Sequence, residues 1–122
     1  MTAAVRWDVE TARAIERAVL DYFEGWYDGD AERMRGALHP DLVKRRGGEE
    51  LGVTTADQMI AWTAEGQGHE DGAADRRIDV EIADVHDGIA TAVVRSAPYR
   101  EYVHLVRTRA GWKIANALWL PS

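Results

Sequence analysis

The sequence predicts an α+β domain in which N-terminal helices cover a curled antiparallel sheet made by the last third of the chain. Three observations carry that prediction. Ile78, Val80 and Ile82 are apolar while Asp79, Glu81 and Asp84 are charged, the period of two expected from a strand with one wet face. Asp87-Gly88, Ala110-Gly111 and Ala97-Pro98 then break the remaining residues into further strands, with glycine for tight turns and proline where no ladder donor is needed. Upstream, Ile15, Val19, Tyr22 and Trp26 recur at helical spacing, the signature of a helix with one buried face. Helices grouped ahead of antiparallel strands mean α+β architecture.

The first helix is expected to run about 20 residues, with Asp8 or Thr11 as N-cap and Gly29 as left-handed C-cap; residues 1–7 read as a loose lead-in. Leu20, Phe23 and Tyr27 widen its apolar stripe. Asp30 caps a short second helix over 31–38 that turns Met34 and Leu38 inward and stops at His39-Pro40, because proline disfavours helical geometry in the residue before it. Residues 41–46 are expected to form a short strand, Gly47-Gly48 a turn, and 49–53 a second short strand or irregular piece. Thr54 or Thr55 caps a third helix whose buried face is Met59, Ile60 and either Trp62 or Thr63. Residues 66–75, broken by glycine and alanine without periodicity, read as a mobile surface loop. The four strands that follow, 78–84, 89–96, 99–109 and 112–120, run about eight to ten residues each, longer than the usual five or six. A sheet of such strands twists and curls, leaving a concave side. The later strands carry apolar residues on both faces, as in Tyr102, Val103, Leu105 and Val106. An antiparallel sheet usually leaves one face polar, so the second apolar face predicts a homodimer through the outer side of the sheet.

Composition narrows the function. A chain of 122 residues suits one domain spanning 1–122. Net charge −6 argues against a nucleic-acid surface, which needs clustered Lys and Arg; Lys44-Arg45-Arg46 is the one basic cluster of note and reads as a solvated rim. No apolar run approaches a membrane span, and no secretory core is present at the N-terminus. Cysteine is absent, so thiol catalysis and thiolate metal sites drop out and the cytoplasm is the default location. The four histidines are scattered without metal-ligand spacing, and neither a serine nucleophile signature nor a phosphate-binding glycine loop occurs. No cofactor is expected.

At Asp21-Tyr22-Phe23-Glu24-Gly25-Trp26-Tyr27-Asp28-Gly29-Asp30, followed by His39-Pro40-Asp41, the sequence resembles the nuclear transport factor 2-like superfamily. Tyr99 to Val106, with Ala110-Gly111-Trp112-Lys113-Ile114-Ala115-Asn116, is most similar to its lumazine-binding and SnoaL-like branch. The resemblance covers nearly the whole chain. It implies a cone: three helices closing over a strongly curved sheet, with a pocket inside and often a dimer through the outer face. Relatives range from isomerases, dehydratases and cyclases to transport factors, so the fold does not set the function.

Against ketosteroid isomerase, which uses a tyrosine on the first helix and two carboxylates, the resemblance places Tyr22 on the catalytic tyrosine, Arg46 at or near the base and Val103 at or near the second acid. Both carboxylates are absent in that register, and a one-residue slip does not restore them, so an isomerase mechanism is not supported by it. Counting from Gly111, the residues expected to face the cone are Val103, Leu105, Ile114, Asn116 and Leu118, with Tyr102 and His104 outside. Tyr22 and Asn116 are then the candidate catalytic pair, with Trp26, His39, Trp62, Val103 and Leu118 as candidate ligand contacts. Each has a plainer role open to it: Tyr22 as a core tyrosine, His39 as a group satisfying the last helical carbonyls, and Trp7, Trp112 and Trp119 as packing or dimer residues. The sequence therefore leaves two function classes: a small-molecule-binding cone with acid–base chemistry of the isomerase, cyclase or dehydratase kind on a hydrophobic or aromatic metabolite, and a non-catalytic ligand carrier or dimeric interaction module. A pocket holding a titratable partner for Tyr22 favours the first; a cone filled with Trp and Leu favours the second.

Overall fold

The computed structural model describes residues 7–122, and all but the last residue of the expected lead-in lies outside them. Helix α1 spans Val9–Asp28. Asp8 is its N-cap, accepting a hydrogen bond from Thr11 N at 2.7 Å. Gly29 closes it at φ 67°, its N–H bonded back to Gly25 and Trp26 carbonyls. Ile15, Ala18, Val19, Tyr22, Phe23 and Tyr27 form the buried face. Helix α2, Ala31–Ala37, starts on the Asp30 cap.

The helix ends one residue before its expected limit. Leu38 is already extended, and strand β1 runs Leu38–Arg46, three residues earlier than the sequence suggested. Pro40 is tolerated within it because pairing is interrupted between Leu38 and Val43, where no ladder hydrogen bond from residue 40 is required. Strand β2 is Gly52–Thr55, and helix α3 is Ala56–Ala64. Thr55, not Thr54, caps α3: its hydroxyl receives Gln58 N, and the Gln58 side chain reaches back to Thr55 N at 2.9 Å, a reciprocal capping box.

The C-terminal strands are β3 Ile78–His86, β4 Ile89–Ser96, β5 Tyr99–Thr108 and β6 Gly111–Pro121. At the first hairpin the positive φ falls on Asp87 (49°), a residue type that tolerates the left-handed region; Gly88 was the expected residue. The six strands form one sheet in the order β2-β1-β6-β5-β4-β3. All neighbours are antiparallel except β1 and β6, which pair in parallel. No hairpin links those two strands, so nothing local dictates their direction.

On the concave side Ala92, Val103 and Ala117 lie abreast, and so do Ala90, Leu105 and Ile114. Helix α1 packs over β6 and β3, and α3 over β1. Residues 66–75, expected as a mobile surface loop, are irregular and largely exposed, but the segment packs against α1 at two glycines. Gly68 and Gly72 are buried, and an added Cβ would stand 2.2 Å from the Trp26 carbonyl oxygen and 2.7 Å from the Tyr27 ring respectively. Those glycines are needed for the close approach of this segment to α1.

Candidate functional site

The concave face holds a pocket of about 190 Å3 between α1, α3 and the sheet. Its walls are largely aromatic: Tyr22, Phe23 and Trp26 from α1, Trp62 from α3, Tyr99 from β5 and Trp119 from β6. Lys44 and Glu101 are its charged members.

Tyr22 arrives on the buried stripe of α1, and its hydroxyl donates to Glu101 Oε2 at 2.7 Å. Lys44 Nζ donates to the same hydroxyl and stands 3.8 Å from Glu101 Oε1. Only 12% of the Lys44 side chain and 1% of that of Glu101 are exposed. A carboxyl, a phenol and an amine are thus linked in one hydrogen-bonded chain beside the pocket.

Burial sets the electrostatics. It raises the Glu101 carboxyl above its ordinary pKa, with Lys44 and the Tyr22 hydroxyl pulling partly the other way. It lowers that of the Lys44 ammonium, against the attraction of Glu101 and Asp71. The Tyr22 hydroxyl is pushed well up, by burial first and by the Glu101 charge second. Desolvation thus moves both the acid and the amine toward their neutral forms.

A second polar cluster lies alongside. Asp71 Oδ2 accepts from Trp26 Nε1 at 2.8 Å and from the Tyr99 hydroxyl. This ties the 65–77 segment to two pocket walls. Burial, then Asp71, raises the Tyr99 pKa. Among the described residues no three His, Cys, Asp or Glu side chains gather as metal ligands would.

The structure brings Tyr22, Trp26 and Trp62 together as expected. Val103 faces the cone but is a fully buried core residue that does not line the pocket. Asn116 and Leu118 are on the wrong side for the expected role. Leu105 pairs with Ile114 and His104 with Asn116, which leaves Ala115 without a partner. This bulge reverses the alternation, so Trp112, Ile114, Ala117 and Trp119 turn inward while Asn116 and Leu118 turn outward. Asn116 Nδ2 instead stands 3.5 Å from His104 Nδ1 on the outer face. His39 is on β1, where its Nδ1 accepts from Asp41 N at 3.0 Å; it does not line the pocket.

Glu101 and Lys44 were not anticipated as site residues. Each lies two positions before the residue the isomerase register had singled out, Val103 and Arg46, and therefore on the same strand face. The sequence did carry a signal for both. Glu101 shares its parity with Val103 and Leu105, and Lys44 with Leu42, so each is a charged side chain on an apolar face. Lys44 is accordingly no part of a solvated rim, although Arg45 and Arg46 are exposed. Trp119, expected to pack or to join a dimer contact, is a pocket wall, and no periodicity distinguished Asp71.

Residues 10–120 match the family described as Putative lumazine-binding. The chain belongs to that family. Among curated proteins none matches the sequence significantly. Solved structures similar to this lumazine-binding-family chain share its fold at low identity. An NTF-2 like protein of unknown function from Silicibacter pomeroyi is 17% identical, with a TM-score of 0.72 over 93% of this chain and 97% of its own. An NTF2-like protein with a cystatin-like fold from Novosphingobium aromaticivorans is 21% identical, TM-score 0.68, covering 93% of this chain and 82% of its own. A ketosteroid isomerase-like protein from Erwinia carotovora atroseptica is 17% identical, TM-score 0.62, covering 94% and 98%. The nuclear transport factor 2-like, cystatin-like fold implied by the sequence is therefore the fold of this chain. No helix among the described residues is long and apolar enough to cross a membrane.

Proposed function

We propose that the pocket binds a flat, apolar or aromatic small molecule and that Tyr22, Glu101 and Lys44 move protons on it, chemistry of the isomerase, cyclase or dehydratase kind. The observation that carries this is the buried Lys44–Tyr22–Glu101 chain at the edge of an aromatic pocket. Burying charged partners is expensive, and a carboxyl and an amine both moved toward neutrality are suited to exchanging protons with a ligand. The aromatic walls supply broad apolar contact for a planar ligand. The family description names lumazine, which makes that bicyclic heterocycle the first ligand to titrate.

Tryptophan fluorescence titrated with lumazine and with 2-tetralone tests the binding half. Proton NMR in deuterium oxide, following loss of the acidic C1 protons of 2-tetralone, tests the chemical half. Quenching is expected with both, and exchange faster than in buffer. Glu101→Gln and Tyr22→Phe should each slow exchange by about 100-fold while quenching persists. Quenching without exchange would favour the non-catalytic carrier, and neither signal would remove the pocket reading.

A homodimer through the outer sheet face is supported by the exposure of Ile89 (58%), Tyr102 (48%) and Leu118 (45%) there. Sedimentation equilibrium should return twice the chain mass, falling to the single-chain mass in Leu118→Asp.

A further inference from the structure

We infer that Lys44 is a carbonyl-reactive amine, and that the class of ligand the pocket takes is a flat apolar aldehyde or ketone held as an imine on its Nζ. This rests on the small-molecule reading of the pocket and narrows it to a reactive group.

The placement is specific. Lys44 is opposite Ala117 in the parallel β1–β6 pairing and on the concave face with it. Its Nζ lies 5.1 Å from the centre of the Tyr22 ring and 5.3 Å from that of Trp119. The amine thus borders the cavity between two aromatic rings, where a planar carbonyl compound would present its carbon. The chain has one other lysine, Lys113, whose ammonium is bound to the Gly36 carbonyl oxygen away from the pocket.

The companions of Lys44 supply what imine formation needs besides an amine. Moving one proton from Nζ to Glu101 through the Tyr22 hydroxyl turns an ammonium–carboxylate pair into a neutral amine and a carboxylic acid. Net charge is unchanged, and two buried charges disappear. Desolvation favours that exchange, in agreement with the directions in which burial moves both groups. A desolvated lysine amine is a nucleophile, and a neutral carboxyl beside it is a general acid.

The step balances with no further reactant. The Nζ lone pair attacks the carbonyl carbon, and the C=O π pair moves to oxygen. That oxygen takes a proton relayed from Glu101, and nitrogen returns one proton to the carboxylate. Expulsion of the hydroxyl as water consumes the Glu101 proton again and leaves a protonated imine facing an ionised Glu101. Water reverses the sequence. A purely structural pair would leave the same distances but give an amine that remains protonated and inert.

Reductive trapping separates these outcomes in the intact wild-type protein. The folded chain is incubated with 2-naphthaldehyde and sodium cyanoborohydride, tryptophan quenching is followed in the same samples, and the adducts are located by peptide mass spectrometry. The expected result is one naphthylmethyl group per chain, on Lys44, formed about tenfold or more faster than on Lys113. Glu101→Gln should slow labelling of Lys44 while leaving that of Lys113 unchanged, although the wild-type map decides the matter alone. Modification of Lys113 and the N-terminal amine with Lys44 untouched would overturn the inference. Quenching in those samples would then leave the small-molecule reading standing, and its absence would take both down.

Discussion

A basic side chain meets carboxylate on both faces of this sheet, and the two sites differ in almost everything but chemistry. Outside, Arg95 of β4 reaches Glu81 at 2.9 Å and Asp79 at 3.6 Å, with 41% of the arginine side chain and 59% of that of Glu81 exposed. Inside, Lys44 and Glu101 stand 3.8 Å apart with 12% and 1% exposed. Ranked by distance, the outer pair would come first. Ranked by environment, the order reverses: exposed partners are screened by water, whereas the inner partners carry desolvation costs and answer to each other's protonation. The outer cluster lies open to water on the convex side; the inner one is enclosed beside the pocket.

The sharpest way to break that contrast is Lys44→Met. It leaves Glu101 buried with only the Tyr22 hydroxyl, and urea unfolding near pH 8 should show a loss of about 3 kcal/mol, as expected when one partner of a buried pair is removed. A loss too small to resolve would mean that the inner pair behaves like a surface pair after all.

The same variant sharpens the comparison through pH. Without Lys44, Glu101 keeps a raised pKa through burial, so between the unfolded-state pKa, about 4.3 for glutamate, and its higher folded value the native state binds more protons than the unfolded one. Stability is then fully present below the unfolded pKa and falls as pH rises through the folded one. Unfolding of Lys44→Met followed from pH 4 to pH 8 should therefore give a steadily declining stability. A stability that rose over this interval would mean that Glu101 is held ionised by something other than Lys44.

The smallest effect belongs outside. Arg95→Ala should leave the urea midpoint unchanged within error, because all three partners are open to solvent. A clear drop would show that the outer cluster contributes to the fold.

Much of the fold was legible, for local reasons. The helix caps at Asp8 and Gly29, the apolar stripe of α1, and the alternation of β3 depend on residues within one or two turns or strands of each other. The candidate site was legible in part. Tyr22, Trp26 and Trp62 sit on helical stripes and could be assigned from spacing. Asn116 and Leu118 could not, because one unpaired residue, Ala115, inverts every side chain after it, and nothing in Ile114-Ala115-Asn116 marks a bulge.

Local periodicity, then, determined the α+β order, the extent of the long strands and the presence of a concave face, because each follows from side-chain direction along a continuous stretch. Only the tertiary structure decided the site. Tyr22 and Glu101 are 79 residues apart in sequence, and Lys44 joins them because β1 lies in parallel beside β6. The raised acid, the lowered amine and the Tyr22 hydroxyl that links them come together only once three distant segments exclude water together.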